Sequence, residues 1–599
     1  MRIIRRPLSA SLVAVLLLTC AAAAYAQQVQ DQIPNDALVV MKVRNLSATS
    51  TKLGKFLTDL GLAAMVPGMN DPLAFTQKQL NISQGLRNDG DFAVVYRDPQ
   101  ASGEDPEKSI VMLIPVSDYK SFLANFPDAK TDGEVSEVTM HKSGEPGFVA
   151  HWGNFAALSP SKMAISKAPT GNSMKIPGTS SGKEFSGRDV VIYANLEALR
   201  AKALPKLQEN RDKILAQVEQ GMSRDEKAAK YAPVFKALVN QLLNVAEGFL
   251  RDANGATLSI NFGNEGINLA VMAEFNKGSY GGNMIGNIKN TNEPLLRGLP
   301  SGKYLFYGGS VNQPEVTVKA LEDFTAPILK EVAALGPDMK PASDYVEALK
   351  QYIKATKKTT FGVVEPSGAL GQEPIIQFVT IASGDAPAMR TAQQKMVTTQ
   401  EQMMKAFGMP ADAYKSNVTA KAKTVDGVAF DQISTTVNPN ANDPMAQQQA
   451  QVLTFMYGPQ GMQMLQGEVN GNLLTSSGVP DTVLSSAIAA VKSNDAPLAN
   501  LAGVKAVAAN LPTNRTAEFY VPVDEIVTTG LNYAKQFGAG VNLQLPPDLP
   551  PIGVTSSTDG TAMRFDAYVP STLVQSLVAA GMQAYMQMQG GGQGGGGGL

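Results

Sequence analysis

The residue types best suited to catalysis are scarce in this sequence. Its two histidines, His141 and His151, flank a turn signal at residues 144–147, so they could face each other across a hairpin. A zinc site needs three or four nitrogen, sulfur or oxygen ligands, and this spacing matches no zinc motif. We therefore expect both histidines to be surface or packed residues, with no metal bound.

One segment formally matches a hydrolase motif. Residues 178–182 (GTSSG) fit the G-x-S-x-G pattern, in which the serine must sit on a sharp turn between a strand and a helix. Here the motif follows Pro177 in a Ser-, Gly- and Pro-rich stretch, which indicates a loop and no nucleophile. The sequence also contains no complete phosphate-binding loop, dinucleotide fingerprint or EF-hand loop, so no catalytic residue and no cofactor is predicted.

Methionine is the one unusual residue type, with 25 in the chain. Three interpretations compete: core filling by a flexible thioether, an adaptable apolar binding surface, and a thioether Cu(I) site. The predicted binding surface consists of Met396, Met403, Met404, Met456 and Met464.

The first residues have the features of a secretory signal peptide. Three arginines within residues 2–6 precede an apolar run at residues 12–18, and a small-x-small cleavage pattern ends at Ala26. The apolar run is shorter than the about 20 residues that a bilayer requires, and every later apolar run is interrupted. We predict cleavage of residues 1–26, export to the periplasm or the cell exterior, and no transmembrane segment afterwards.

Cys20 offers an alternative to that cleavage. It follows Leu-Leu-Thr, which faintly resembles a lipoprotein signal, but such a signal usually has a small residue where Thr19 stands. Attachment through a lipid on Cys20 is therefore the less favoured expectation.

Composition excludes further classes of protein. Cleavage after Ala26 removes the only cysteine, so the mature chain has neither disulfides nor a thiolate. It also removes three arginines and leaves 48 basic against 53 acidic residues, a net charge of −5. With no basic cluster, this balance argues against nucleic-acid binding. Residues 590–599 form a Gly-rich tail, interpreted as disordered, with surface attachment as the alternative role.

The predicted strands and helices that would position these residues follow a pattern that repeats along the chain. Four β-rich runs each lead through a polar residue suited to helix capping into a helical pattern, at residues 38–43, 190–196, 304–307 and 519–524. A second type of strand-to-helix unit occurs at residues 110–116 and again at 375–381, 265 positions later. Pro34 and Pro300, which precede two of the runs, differ by 266 positions.

This agreement predicts a tandem duplication. We place the halves at residues 30–298 and 299–589, the first with a helical insert at about 199–251. The second half instead has helical patterns at about 386–409 and 443–466.

Turn signals between the β-rich runs indicate hairpins. They include Asp426-Gly427, Asn470-Gly471 and Asp559-Gly560, whose residue types supply the positive φ angles that tight turns require. Each half is therefore predicted to hold an antiparallel sheet with helices packed on one face, an α+β fold.

The start of the mature chain resembles a known group of proteins. Residues 33–40 (IPNDALVV) are similar to the opening of uncharacterised exported bacterial proteins, which begin with Leu/Ile-Pro-x-x-Ala-Leu after a signal peptide. The resemblance implies a secreted protein and carries no functional residues across.

The functional prediction follows from these exclusions. We expect a non-enzymatic, exported binding or scaffold protein, whose partner is an apolar ligand or another envelope protein. One alternative is a structural or surface protein of the envelope, anchored by its tail. The other is a hydrolase that uses carboxylates without a recognisable motif.

Overall fold

The computed structural model describes residues 28–590 except 65, 67, 103–104, 141–143, 177–178, 225, 367–372, 408–413, 438–443, 537 and 539–542. The expected signal peptide, Cys20, His141 and the tail from residue 591 lie outside the described residues. The chain forms two compact units. Among the described residues, the first unit comprises those up to Leu199 with Asn254–Phe262, and the second comprises Arg200–Ala253 with those from Gly263 onward.

The first unit is built on a nine-stranded antiparallel sheet. Its strands are β1 (Ala37–Val43), β2 (Phe92–Arg97), β3 (Ile110–Pro115), β4 (Lys130–Asp132), β5 (Val135–Thr139), β6 (Pro146–Trp152), β7 (Phe155–Ser159), β8 (Val190–Asn195) and β9 (Ala253–Phe262). They pair in the order β9-β8-β1-β2-β3-β7-β6-β5-β4.

Short helices connect these strands. They are α1 (Leu46–Asp59), α2 (Pro72–Leu80), α3 (Pro99–Ser102), α4 (Tyr119–Leu123), α5 (Lys162–Ile165) and α6 (Thr179–Gly187). The predicted capping residue Asn45 accepts a hydrogen bond from the amide of Ala48, and Asp118 accepts one from the amide of Ser121. Both satisfy amide groups that have no partner within the helix.

The second unit has an eleven-stranded antiparallel sheet. Its strands are β10 (Gly266–Phe275), β11 (Tyr304–Val311), β12 (Thr356–Val364), β13 (Gln377–Gly384), β14 (Tyr414–Val425), β15 (Val428–Val437), β16 (Met462–Val469), β17 (Asn472–Ser477), β18 (Ala517–Val521), β19 (Ile552–Asp559) and β20 (Ala562–Pro570). They pair in the order β10-β20-β19-β18-β11-β12-β13-β17-β16-β15-β14.

Longer helices accompany the second sheet. They are α7 (Leu196–Met222, which begins in the first unit), α8 (Glu226–Ala229), α9 (Ala232–Asp252), α10 (Tyr280–Gly286), α11 (Pro314–Ala334), α12 (Lys340–Ala355), α13 (Ala386–Ala406), α14 (Pro444–Tyr457), α15 (Asp481–Ser493), α16 (Ala502–Ala508), α17 (Val523–Gln536) and α18 (Ser571–Gly590). Helices α7 to α9 lie in the stretch where the sequence predicts a helical insert. Within the described residues, no helix has both the length and the apolar character needed to cross a bilayer.

The strand order is the same in both units. Each of β1 to β10 has a counterpart ten strands later, and β11 to β19 keep the order of β1 to β9. The registers also correspond: Met41 lies opposite Val94 in the first unit, and Gly308 lies opposite Phe361 in the second. This is the arrangement that a tandem duplication produces.

Both sheets bury one face in a main core, and helices also cover part of the other face. In the second unit Ile381 packs with α15 on the main-core side, while the next residue, Ala382, packs with Met389 of α13. Successive strand residues point to opposite faces, so these two helices lie on opposite sides of the sheet. The predicted α+β class and antiparallel sheets are confirmed, and the helices are not restricted to one face.

Two local expectations are wrong. The helical pattern expected over residues 443–466 ends at Tyr457, because Gly458 and Gly461 adopt positive φ angles, and Met462–Val469 is strand β16. The stretch expected to be a loop at residues 178–182 is largely the start of α6, which Phe185, 2% exposed, anchors in the main core.

Candidate functional site

The five methionines predicted to form a binding surface are distributed over three elements. Met396, Met403 and Met404 lie on α13, Met456 on α14 and Met464 on β16. Their described contacts differ. Met403 packs in a helical cluster that contains Val332 of α11 and Met339 before α12. Met464 is 7% exposed, and its sulfur is 3.8 Å from the amide nitrogen of Gln393. None of the five methionines lines the apolar cavity of the first unit.

The other residues considered from the sequence, His151, Ser180 and Ser181, are packed against neighbours or buried. The His151 ring stacks on Tyr119 with 4.4 Å between ring centroids. Ser180 and Ser181 are buried in α6. No group of three or more metal-ligating His, Cys, Asp or Glu side chains occurs among the described residues.

A markedly apolar cavity of about 300 Å³ lies in the first unit, between the sheet and helix α2. Most of its lining is aliphatic, aromatic or thioether, and it contains no charged side chain. The lining residues are Leu46, Leu73, Thr76, Gln77, Leu80, Ile82, Leu86, Phe92, Met112, Ile114, Phe126, Met140 and Leu158.

The floor of the cavity is one face of strands β2, β3 and β7. Met112 lies directly opposite Leu158 in the register, and Phe92 lies in line with Ile114. The alternate residues of the same strands, such as Leu113, belong to the main core on the other face. Successive side chains of a strand point to opposite faces of the sheet, and both faces are apolar here. One set of side chains lies in the main core, and the other set lies beneath the cavity.

Helix α2 forms the roof. Leu73, Thr76, Gln77 and Leu80 have the spacing i, i+3, i+4, i+7, which places them on one side of the helix. No residue of α2 is fully buried, and Leu80 is 42% exposed, so the roof covers the cavity without being enclosed itself.

Two contacts tie this roof to α1. Ser50 accepts a hydrogen bond from the amide of Leu73 at 2.8 Å and donates one to Asp71, the capping residue of α2. Gly54 lies so close to the preceding loop that a Cβ atom would stand 2.2 Å from the carbonyl oxygen of Asn70. The small residues of α1 thus allow the start of α2 to lie close to α1.

The wall that carries Ile82 and Leu86 depends on Asn125. The Asn125 side chain, 6% exposed, accepts from the amide of Ser83 at 2.8 Å and donates to the carbonyl of Gln84 at 2.9 Å. Gly85 has a φ of +78°, and a Cβ there would stand 2.2 Å from the amide nitrogen of Phe122. Only glycine fits that position without displacing the backbone.

The few polar groups of the lining are already hydrogen bonded. The Thr76 hydroxyl donates to the carbonyl of Pro72 at 2.8 Å, and the Gln77 amide donates to Asn88 at 3.1 Å. The lining therefore offers dispersion and hydrophobic contact and neither charge nor nucleophile, so the site favours the apolar part of a ligand.

The second unit has a polar floor at the corresponding place. By register, Phe92, Met112 and Leu158 correspond to Thr359, Thr380 and Thr475. In the second unit α12 and α13 pack together, and Met389 of α13 is fully buried next to Leu473 of β17. The apolar floor is thus a feature of the first unit.

Sequence reasoning did not find this site. The sequence predicts a strand-to-helix unit at residues 110–116, but its pattern does not distinguish the apolar side chains of the second face from those of the core. The only local signal for the roof is the helical spacing of Leu73, Thr76, Gln77 and Leu80.

Comparisons with known proteins do not identify a family. No family model matches the chain, and no curated protein matches it. Solved structures of TP0453 in crystal forms III and IV are 10% identical to the chain, with TM-scores of 0.20 and 0.21. Each covers 48% of this chain, and the matches span 98% and 96% of those chains. At these TM-scores the likeness supports no conclusion about fold or function.

Proposed function

We propose that this chain is an exported, non-enzymatic binding protein that holds an apolar chain in the cavity of its first unit. The observation that carries the proposal is the cavity itself: about 300 Å³, without a charged lining group, and with its polar groups hydrogen bonded. Export is inferred from the signal-peptide pattern of residues 1–26.

The volume limits the ligand. An apolar cavity of roughly 150 Å³ binds benzene, so about twice that volume suits an alkyl chain of roughly ten carbons. Burial of each CH₂ contributes about 0.8 kcal/mol, or about 8 kcal/mol for ten carbons before the entropic cost of association. Without that cost the dissociation constant would be about 1 μM, so the actual dissociation constant is expected to be weaker than about 1 μM.

The test is calorimetric titration with 1-decanol, which has the apolar chain and no charge. The wild-type protein is expected to bind it, and Met112→Trp is expected to weaken binding at least tenfold because the indole fills the space above β3. Met163→Trp is the matched control, since Met163 is 55% exposed on α5 of the same unit.

Two results would contradict the proposal. One is the absence of decanol binding to the wild-type protein. The other is an equal affinity of Met112→Trp and Met163→Trp while both variants retain wild-type circular dichroism. Native mass spectrometry of the protein from its own envelope would then show which species, if any, fills the cavity.

A further inference from the structure

A second cavity, of about 420 Å³, lies in the second unit where helix α17 begins. It is bounded by the start of β11, helix α16 and the loop before β19. Unlike the cavity of the first unit, it combines tyrosine and leucine side chains with charged ones. Its lining includes Lys303, Tyr307, Asp524, Glu525, Asp548 and Leu549.

The Asp524 carboxylate is the distinctive group of this cavity. Asp524 is 5% exposed, and its Oδ2 accepts a hydrogen bond from the amide of Leu549 at 3.0 Å. Its Oδ1 is buried and has no hydrogen-bond partner among the described residues. A buried carboxylate oxygen without a partner is unfavourable, and a bound donor or cation would remove that cost.

The charges of the lining are unbalanced. Asp524, Glu525 and Asp548 supply three carboxylates against the single ammonium of Lys303. That ammonium is committed to Glu525, at 3.0 Å, and also lies 3.8 Å from Glu365. Burial raises the pKa of Glu525, and the neighbouring Glu365 carboxylate acts in the same direction. One more positive charge would stabilise the charged carboxylates, offsetting both the cost of their burial and the repulsion between them.

Tyr307 supplies the apolar and aromatic part. It is 3% exposed and its ring stacks on Tyr520, while burial raises the pKa of its hydroxyl, so the group stays neutral. A buried ring beside carboxylates suits a ligand that joins a positive charge to an apolar group. Three or more grouped metal-ligating side chains are not found in the described part of the chain, so a multivalent metal ion is not favoured.

We propose that this cavity binds a small organic ammonium ligand, whose charged group pairs with the Asp524 carboxylate and whose apolar part lies against Tyr307 and Leu549. The ligand class differs from that of the first unit, where no charged group lines the cavity.

The test compares octylammonium with 1-octanol, which has the same alkyl chain and no charge. Calorimetric titrations use the full chain carrying Met112→Trp, so that the first-unit cavity is filled in every sample. Octylammonium is expected to bind at least tenfold more tightly than octanol. Asp524→Asn is expected to remove that preference, whereas Asp338→Asn, at an exposed position of the second unit outside this lining, retains it.

Equal affinities for octylammonium and octanol would overturn the proposal, and so would an unchanged octylammonium affinity in Asp524→Asn. Circular dichroism checks that each variant is folded, and the comparison between the two probes needs no variant at Asp524. Because decanol binding is measured on the protein without Met112→Trp, failure here is distinguishable from failure of the function proposed above.

Discussion

Burial and charge conflict most directly at Lys42. Its side chain is 4% exposed on the main-core side of β1, 3.3 Å from Asp91 and 4.9 Å from the centre of the Phe185 ring. Burial lowers the pKa of the Lys42 ammonium, although the Asp91 carboxylate acts in the opposite direction. The ion pair therefore fixes the position of β1 relative to the start of α1. Its net contribution to stability is small, because the cost of burying the charges offsets the attraction between them.

Replacement of this lysine gives a pH-dependent prediction. Lys42→Met keeps the side-chain length without the charge, so at pH 7 its free energy of unfolding should equal the wild-type value or exceed it by up to about 2 kcal/mol. In the wild type the folded state loses the Lys42 proton at a lower pH than the unfolded state, whose lysine pKa is about 10.4. Between those two pKa values the unfolded state binds more protons, so wild-type stability rises with pH.

The measurement is urea unfolding of both proteins at a series of pH values. The advantage of Lys42→Met should be constant at neutral pH and should shrink as pH approaches about 10.4. A difference between the two proteins that does not change over that range would show that burial does not disfavour the charged lysine.

Gly85 carries a second residue-scale prediction. Gly85→Ala should lower the free energy of unfolding by about 2–4 kcal/mol, because alanine disfavours the positive φ angle and its Cβ would collide with the Phe122 backbone. The control is Gly133→Ala, which has a φ of +64° with open space around it and should cost only about 1–2 kcal/mol. Equal losses in urea unfolding would mean that the close approach to Phe122 is not limiting.

At the scale of elements, the roof of the cavity depends on how closely α1 approaches the start of α2. Gly54→Ala should lower the free energy of unfolding by about 1–3 kcal/mol, because the new Cβ must displace the Asn70 carbonyl. It should also weaken decanol binding, since α2 moves with that segment. Gly182→Ala is the matched helical control: nothing lies within 4 Å of its Cβ position, so it should stabilise by about 0.5–1 kcal/mol. A stabilising Gly54→Ala would contradict the close packing of α1 on this loop.

The elements that the sequence predicts well are those with local chemical signals. Asp426 and Asn470 adopt φ angles of 48° and 47°, as their Asp-Gly and Asn-Gly turns require, and Asn45 and Asp118 cap helices. These features depend on one residue and its nearest neighbours, so no tertiary information is needed.

The elements that were missed depend on distant contacts. Helix α6 forms in a Ser- and Gly-rich stretch because Phe185 enters the main core and Glu184 pairs with Arg188 and Ser259. The cavity is also beyond local prediction, because whether Met112 packs in the core or beneath an opening depends on where α2 lies. The same residue pattern in β3 fits either environment.

At the scale of the whole molecule, the repeat predicted from the sequence corresponds to the same strand order in the two units. The compact units do not follow the boundary expected near residue 298, however. Strand β10 and helix α9 precede that boundary in the chain, and both belong to the second compact unit.

The divergence between the two sheets leads to a prediction about stoichiometry. Thr359, Thr380 and Thr475 stand in the second unit where Phe92, Met112 and Leu158 form the apolar floor of the first. Threonine hydroxyls at this floor disfavour an uncharged alkyl chain, because they lose water on contact without gaining a partner. One equivalent of decanol per chain is therefore expected at saturation, measured by calorimetry and by native mass spectrometry. A second equivalent that persists in Met112→Trp would place an apolar site elsewhere in the chain and would mean that the duplication kept two binding units.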